Sequence, residues 1–368
     1  MMLSINNPIQ STWIFICIFL LSVFLFYRSQ KDNTLSYSRT QELKGFAIFA
    51  IIFSHIGYFL ISDHQFLFPL SIMAGVGVNM FLFLSGFGLT MSQMKKEETT
   101  GTFYRRRVLK LLIPFWLILI SFLTLDWFVL QIGYSKEFIT KAFFGIFTQA
   151  QIFNDLNSPF WYFTLILFYY LLFPIVFSKK YAWLSGIVLY GLSYTVIVMK
   201  PEFLKEVLNL YKAHLIAFPA GICIAWLSTH SKIISGRINI SRLKHVYNKF
   251  EKIIYPLALA GLLVFIGYFG IHSKVGAEIN LEQSISLLTM TAIIILFLIK
   301  KYEYKILGLF GLYSYELYLL HWPIMSRYDI FYSYVPAWLA TVLYLGLFIG
   351  LSWLLRKVTQ YILILLKI

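Results

Sequence analysis

Long apolar runs limit most strongly what this chain can fold into. Eleven of them recur along the sequence, and each is long enough to cross a bilayer as a helix. Only 13% of the 368 residues are charged, against about 25% in typical soluble domains, so no separate soluble domain is expected. The sequence therefore predicts an all-α, polytopic integral membrane protein. The predicted spans cover residues 11–27, 43–61, 69–92, 111–131, 159–178, 181–199, 213–229, 253–270, 283–299, 306–325 and 336–355.

Basic residues indicate how these spans are oriented. If the N-terminus lies outside, the loops on the inner side hold 24 of the 31 Lys and Arg residues, as the positive-inside rule requires. We therefore predict an outer N-terminus and an inner C-terminus. The same distribution accounts for the net charge of +15 without a nucleic-acid partner. The basic inner loop 230–252 is expected to contact anionic membrane lipid.

The two ends of the chain differ from its middle. The first apolar run has no Lys or Arg before it and no small-residue cleavage site, which indicates a retained anchor rather than a signal peptide. We assign residues 1–38 to this transmembrane anchor and its linker, and residues 39–368 to one membrane domain. The segment after Arg356 and Lys357 is too short to span the bilayer, and we expect a short tail that lies along the interface.

An ionisable pair marks the second predicted span. Lys44 opens this apolar helix, and ten residues separate it from His55. At a rise of about 1.5 Å per residue the two lie about 16 Å apart along the axis, which places His55 deep in the hydrocarbon core. An ionisable side chain at that depth is costly and is a functional candidate by default. The alternative is a structural hydrogen bond to a neighbouring helix.

A second such pair, Glu316 and His321, occurs in the predicted span 306–325. The two residues are five apart, about 140° around a helix, and need not share a face. Glu316 is either functional or a structural partner of Lys44 or another basic residue. His321 is either functional or solvated by interfacial water beside Trp322.

Other polar residues carry weaker signals. His214 begins a predicted helix, and we expect it to have a structural role because such a histidine is easily solvated. The outer loop that contains Asn154, Asp155 and Asn157 either binds a polar acceptor or covers a cavity. Cys17 and Cys223 both lie in apolar segments, so we expect neither a disulfide nor a metal site.

A basic segment, FYRRRVLK, lies at the predicted inner surface. Guanidinium groups match the geometry of phosphates, although any inner loop attracts Lys and Arg. Arg107 and Lys110 are three apart and share a helix face. Ser85 lies in the inner half of the preceding span, which is rich in small residues that permit close helix contact. The candidate phosphate-binding residues of this segment are Arg105, Arg106, Arg107 and Lys110.

Taken together, these motifs resemble the acyltransferase 3 family of integral membrane acyltransferases. Its opening pattern, a basic residue, ten residues and a histidine, is matched by Lys44 and His55, with Lys in place of the usual Arg and Gln41 where Asp is common. The serine-glycine-aromatic run starting at Ser85 also resembles the family. So does the basic pair Arg107 and Lys110 before a proline, again with Lys for the second Arg. The segments FWYFTLILFYYLLFP and SYELYLLHWP resemble two further family segments.

The resemblance implies a ten-helix core over about residues 39–355, with the first helix as an addition. It implies transfer of an acyl group, commonly acetyl, from cytoplasmic acetyl-CoA or another acyl-CoA to a hydroxyl of a cell-surface glycan, in a bacterial plasma membrane. His55 is then the expected general base, with Glu316 and His321 as further catalytic candidates. The expected donor-binding residues are Lys44, Ser85, Arg105, Arg106, Arg107 and Lys110.

Several alternatives stay open at this point. The acyl group passes either directly to the acceptor or through an acyl-enzyme on Ser85 or His55. The protein is a monomer or a homo-oligomer. A same-fold enzyme with another acyl group or an amine acceptor is one rival, and a proton-coupled transporter or flippase of a glycan or lipid intermediate, in which His55 and Glu316 relay protons, is another.

Overall fold

The computed structural model describes residues 2–29, 35–235, 241–273 and 281–367. These residues form fifteen α-helices and two short strands. Turns of π-helix at His55–Leu60 and Asp126–Leu130 extend α2 and α5, and another at Tyr104–Val108 joins α4 to α5. The helices are α1 (Pro8–Leu25), α2 (Tyr37–Ser54), α3 (Ala74–Lys95), α4 (Thr100–Phe103), α5 (Leu109–Leu125), α6 (Lys136–Phe143), α7 (Phe160–Val176), α8 (Ala182–Met199), α9 (Leu208–Ala213), α10 (Ala217–Ser235), α11 (Ser241–His272), α12 (Leu281–Ile299), α13 (Lys305–Leu312), α14 (Ser314–Ser326) and α15 (Ala337–Leu365), and the strands are β1 (Tyr27–Ser29) and β2 (Tyr302–Tyr304).

The helices confirm the all-α class and a multi-pass membrane protein. Within the described ranges, nine helical segments are long and apolar enough to cross a bilayer. A tenth predicted span, α7, is apolar but only 17 residues long. The predicted span 306–325 is divided at Tyr313 into α13 and α14. The count of eleven spans and their orientation therefore stay predictions.

Helices α2 and α3 form the centre of the molecule. In the most apolar windows of their segments, 72% and 78% of the residues are buried, against 6% for Lys252–His272 at the periphery. An ionisable group on α2 is therefore surrounded by protein, which is where polar side chains in a membrane protein can find partners.

Glycines bring the α2 and α13 backbones into contact. A Cβ added at Gly45 would lie 1.9 Å from the carbonyl oxygen of Leu307, and one at Gly311 would lie 1.7 Å from that of Gln41. The predicted role of small residues in α3 is confirmed at Gly77, where an added Cβ would lie 2.6 Å from the carbonyl oxygen of Ala47. Such contacts replace the hydrophobic effect as the source of helix association in lipid.

The first helix packs directly against α2. Phe15 and Phe19 make edge-to-face contacts with Phe53, at 5.3 Å between centroids in each case. Behind α1, β1 pairs antiparallel with β2, and Arg28 forms an ion pair with Glu303 across the two strands. Helix α1 is thus held at its end as well as along its length.

The structure tests the predictions for the C-terminal tail, the N-terminal linker and the basic inner loop only in part. The residues after Lys357 continue α15 to Leu365 without a break, because they are apolar and contain neither glycine nor proline. The predicted tail is therefore helical and continuous with the last helix, and its position along the interface stays a prediction. Residues 30–34 of the N-terminal linker lie outside the described residues, and so do residues 236–240 and the side chains through which the basic inner loop was expected to contact lipid.

Candidate active site

A π-helical turn presents His55. Ser36 begins α2 as its N-cap, accepting a hydrogen bond from the Arg39 N–H at 3.4 Å. The helix continues regularly to Ser54 and then widens over His55–Leu60. Such π-turns frequently occur at functional sites, because they shift a side chain out of the regular helical register. The wider turn is packed closely, since a Cβ at Gly57 would lie 2.3 Å from the carbonyl oxygen of Phe66.

The structure brings together the two intramembrane histidines. His55 Nδ1 lies 2.6 Å from Nε2 of His321, and the two rings are parallel within 4°. His321 is fully buried, and its Nδ1 lies 2.9 Å from the carbonyl oxygen of Leu317 and 3.0 Å from that of Tyr318. The structural alternative for His321, solvation beside Trp322, does not fit this position.

These contacts assign the protons in the neutral pair. A carbonyl oxygen only accepts, so His321 Nδ1 carries the hydrogen and its Nε2 presents a lone pair. His55 Nδ1 then donates to that lone pair. The only ring nitrogen of the two histidines that still has a free lone pair is His55 Nε2. Among the described residues, this nitrogen has no hydrogen-bond partner.

The loop that contains Asn154, Asp155 and Asn157 covers the histidine pair. The Trp322 ring lies 5.2 Å from the His55 ring, and its Nε1 donates to the carbonyl oxygen of Ile152 at 3.0 Å. Asn157 is buried and donates from Nδ2 to the carbonyl oxygen of Leu319. Burial raises the pKa of the Asp155 carboxyl. Of the two roles considered for this loop, the structure favours that of a cover, because Asn157 and the carbonyl oxygen of Ile152 both bond to α14.

His55 opens onto a small cavity of about 120 Å³. Its wall includes Gly75 of α3, Tyr162 of α7, Tyr318 of α14 and, unexpectedly, His214. With His55 itself, five separate parts of the chain therefore meet at the cavity. Nothing in the local sequence predicts such a meeting point.

His214 is a functional candidate that sequence reasoning missed. It is buried in the turn between α9 and α10, with its ring stacked on Trp161 at 5.7 Å. Its Nδ1 lies 2.8 Å from Oδ1 of Asn79, whose Nδ2 donates to Ser286 Oγ at 2.9 Å. The only signal in the sequence is a lone asparagine in an apolar span, and that signal does not indicate a partner.

Tyrosines connect the cavity to the basic segment. The ring of Tyr318 lies 5.4 Å from that of Tyr162 and 6.4 Å from that of Tyr315. Further along α7, Tyr170 interacts with Ser85 and lies within electrostatic range of Arg107. We call Tyr162, Tyr170, Tyr315 and Tyr318 the tyrosine row.

The four basic candidates have different surroundings. Arg107 is half-buried and donates to Ser92 Oγ at 2.7 Å, while Lys110 is exposed. Arg106 forms an ion pair with Glu98 at 3.1 Å. Arg105 donates to the carbonyl oxygens of the two residues that follow α15, including that of Lys367 at 3.1 Å. Of the four, Arg107 is thus the one shown within electrostatic range of the tyrosine row.

Glu316 does not lie beside His55. It is buried in the first turn of α14, in electrostatic range of Lys44 and Arg356. Two basic residues are thus near the Glu316 carboxyl, as the structural alternative expected, with Arg356 the stronger influence and Lys44 the weaker. The five-residue separation from His321 accordingly places the two side chains in different surroundings.

The described residues contain no group of three or more His, Cys, Asp or Glu side chains that could hold a metal ion. Fold and site together define a multi-pass membrane protein with an imidazole pair beside an internal cavity. A family model described as an acyltransferase domain, Acyl_transf_3, matches residues 43–357. The chain therefore belongs to the acyltransferase 3 family and is a membrane acyltransferase. No curated protein and no solved structure matches it significantly.

Proposed function

We propose that this protein is a membrane O-acyltransferase that moves an acetyl group from cytoplasmic acetyl-CoA across the membrane to a hydroxyl of a cell-surface glycan. The proposal includes eleven spans, an outer N-terminus and an inner C-terminus in a bacterial plasma membrane. The observation that carries it is the unprotonated Nε2 of His55 at an internal cavity, held there by His321.

The His55 imidazole is placed to act as a general base. As the acceptor oxygen attacks the thioester carbonyl carbon, Nε2 removes the hydroxyl proton. The C–S bond breaks when the tetrahedral intermediate collapses, and the proton on Nε2 passes to the departing thiolate to give the free thiol of CoA. A general base contributes typically about 10²–10⁴ to a rate. His321 stabilises the imidazolium by accepting the Nδ1 hydrogen bond.

The basic segment and the tyrosine row suit the donor. Arg107 and Lys110 lie where the CoA phosphates would reach the inner surface, and Ser85 adjoins Arg107 through Tyr170. The pantetheine arm would then follow the tyrosine row toward His55. Lys44 and Glu316 lie near each other with Arg356, and we assign them to the inner end of this path. Arg105 and Arg106 already have partners, so we expect them to contribute less to donor binding.

The acyl group and the acceptor remain proposals within this family. A longer acyl chain or an amine acceptor would use the same histidine pair. The proposed site lies within one chain. The proposal therefore holds both for a monomer and for a homo-oligomer. A proton-coupled transporter would not release CoA from acetyl-CoA, whereas the purified acyltransferase is expected to hydrolyse acetyl-CoA slowly without an acceptor.

The test is the acetate content of the cell surface. Alkali-released acetate is compared in cells with the wild-type gene, a deletion, and His55→Ala at matched protein levels, with the exposed His272→Ala as control. We expect the deletion and His55→Ala to lose acetate and His272→Ala to retain it. An unchanged acetate content in the deletion strain would refute O-acetylation. If the deletion strain loses acetate but His55→Ala retains it, the assignment of His55 as the general base is refuted.

A further inference from the structure

His214 belongs to the cavity but has no part in the proton transfer described above. Its turn between α9 and α10 supplies the cavity wall from a different element than His55 on α2. Two imidazoles therefore line one cavity of about 120 Å³. Because both rings line the same cavity, a ligand bound in it can contact His55 and His214 together.

The surroundings of His214 fix its orientation and its hydrogen-bonding character. Ring stacking on Trp161, parallel within 17°, holds the plane of the imidazole. Asn79 is fully buried, and its Nδ2 is engaged by Ser286, so its Oδ1 is the atom that meets His214 Nδ1. An amide oxygen accepts, hence His214 Nδ1 carries the hydrogen and Nε2 presents a lone pair. Among the described residues, no partner occupies that nitrogen.

We infer that His214 is a positioning and specificity residue that accepts a hydrogen bond from a second hydroxyl of the acceptor, adjacent to the hydroxyl that His55 deprotonates. The acceptor is then a polyhydroxyl compound, such as a pyranoside, rather than a simple alcohol. This inference rests on the proposed function, and it narrows the acceptor to molecules that present two neighbouring hydroxyls to one cavity.

A buried lone pair distinguishes between acceptors according to whether they supply a hydrogen-bond donor for it. An acceptor without the second hydroxyl leaves His214 Nε2 desolvated and unpaired, which a site of this kind penalises. The loss of one uncharged hydrogen bond corresponds to about a three- to tenfold change in an equilibrium constant. We expect the KM of the acceptor to rise and the KM of acetyl-CoA to stay unchanged.

The experiment uses purified full-length protein in nanodiscs with acetyl-CoA. The acceptors are the methyl glycosides of glucose, galactose and N-acetylglucosamine and their monodeoxy analogues. For wild type, removal of one particular hydroxyl is expected to raise the acceptor KM about three- to tenfold. In His214→Leu the parent glycoside and that analogue should have the same, raised KM. His214→Gln should restore part of the difference, because its Oε1 can accept in place of Nε2.

Two further variants check the argument. Asn79→Leu should have the effect of His214→Leu, and the double variant should add nothing to it, since both act through one hydrogen bond. His272→Leu is the matched histidine control, because it is exposed on α11. Gel filtration of each variant reports whether it is folded.

The outcomes separate this inference from the proposed function. If wild type transfers acetyl to glycosides but all monodeoxy analogues behave like their parents, the role of His214 is refuted. The same holds if His214→Leu raises the KM of parent and analogue by one common factor. If wild type releases no CoA and acetylates no glycoside, the proposed function itself fails, and this inference fails with it.

Discussion

At the scale of single residues, one hydrogen bond decides which imidazole nitrogen is open for chemistry. The backbone carbonyls of α14 hold the proton on His321 Nδ1, and His321 in turn holds the proton on His55 Nδ1. The tautomer of His55 is therefore determined by two backbone carbonyl groups of α14, which lie one helical turn before His321. This is the arrangement by which a third group orients a general base in many hydrolases and transferases.

His321→Ala is expected to reduce kcat on the order of 10²-fold, because His55 loses both its orientation and the acceptor for its Nδ1 proton. The acceptor KM should change little. His321→Gln supplies an oxygen at the position of Nε2 and should recover part of the rate. Steady-state kinetics with purified protein measure both parameters. A larger effect on the acceptor KM than on kcat would contradict the positioning role.

Sequence reasoning found the separate members of this site but not their contacts. His55 and His321 were predicted as candidates because ionisable groups are costly in lipid, yet 266 residues separate them and no local pattern reports their bond. The spacing of Glu316 and His321 indicated that the two need not share a face. His214 could not be predicted, since its role depends on Asn79 and Trp161 from two other helices.

At the scale of elements, the contact between α2 and α13 depends on two glycines. Gly45 and Gly311 face the backbone of the opposite helix, and neither position has space for a side chain. Helix α14, which carries His321, is separated from the end of α13 by only one residue. A disturbance at Gly311 should therefore reach the histidine pair.

Gly311→Ala and Gly308→Ala make a matched pair on α13. We expect Gly311→Ala to lower the thermal midpoint and the activity, because its Cβ would meet the carbonyl oxygen of Gln41, and overpacking of this kind costs about 1–3 kcal/mol. Gly308→Ala should change neither, since nothing lies within 4 Å of its added Cβ. Thermal unfolding in detergent and acetyl-CoA hydrolysis measure the two effects. Equal behaviour of the two variants would disprove the close contact.

The break between α13 and α14 shows why some element boundaries could not be predicted. The apolar pattern runs through Tyr313 without a glycine or proline there. The carbonyl oxygen of Leu312, freed by the break, accepts from Arg356 at 2.5 Å, and the Arg356 guanidinium lies over the Tyr313 ring. Irregular backbone in a membrane requires such a partner. The partner comes from α15, so the break is a tertiary effect.

At the scale of the whole molecule, hydropathy and charge predicted the class of fold well. The reason is physical: lipid requires every spanning backbone group to be satisfied within its own helix, so apolar runs of sufficient length become helices. The orientation rests on the distribution of Lys and Arg alone. It has a direct test, because the only cysteines are Cys17 and Cys223.

Single cysteines in a Cys17→Ala/Cys223→Ala background should report the orientation. A membrane-impermeant thiol reagent added to intact cells is expected to label Ser4→Cys and Tyr334→Cys, both at exposed positions on the predicted outer side. Lys179→Cys, exposed on the predicted inner side, should be labelled only after the membrane is permeabilised. The reverse pattern would invert the topology and with it the direction of acyl transfer.

The long separation between the paired histidines also affects how the protein is made. The ribosome inserts α2 early, and His55 then has no imidazole partner until the segment that contains His321 has been synthesised 266 residues later. A chain that stops short of α14 has the basic segment and the cavity-lining α7 but lacks the residue that orients the base. Nascent and truncated chains that lack α14 are therefore expected to be catalytically silent.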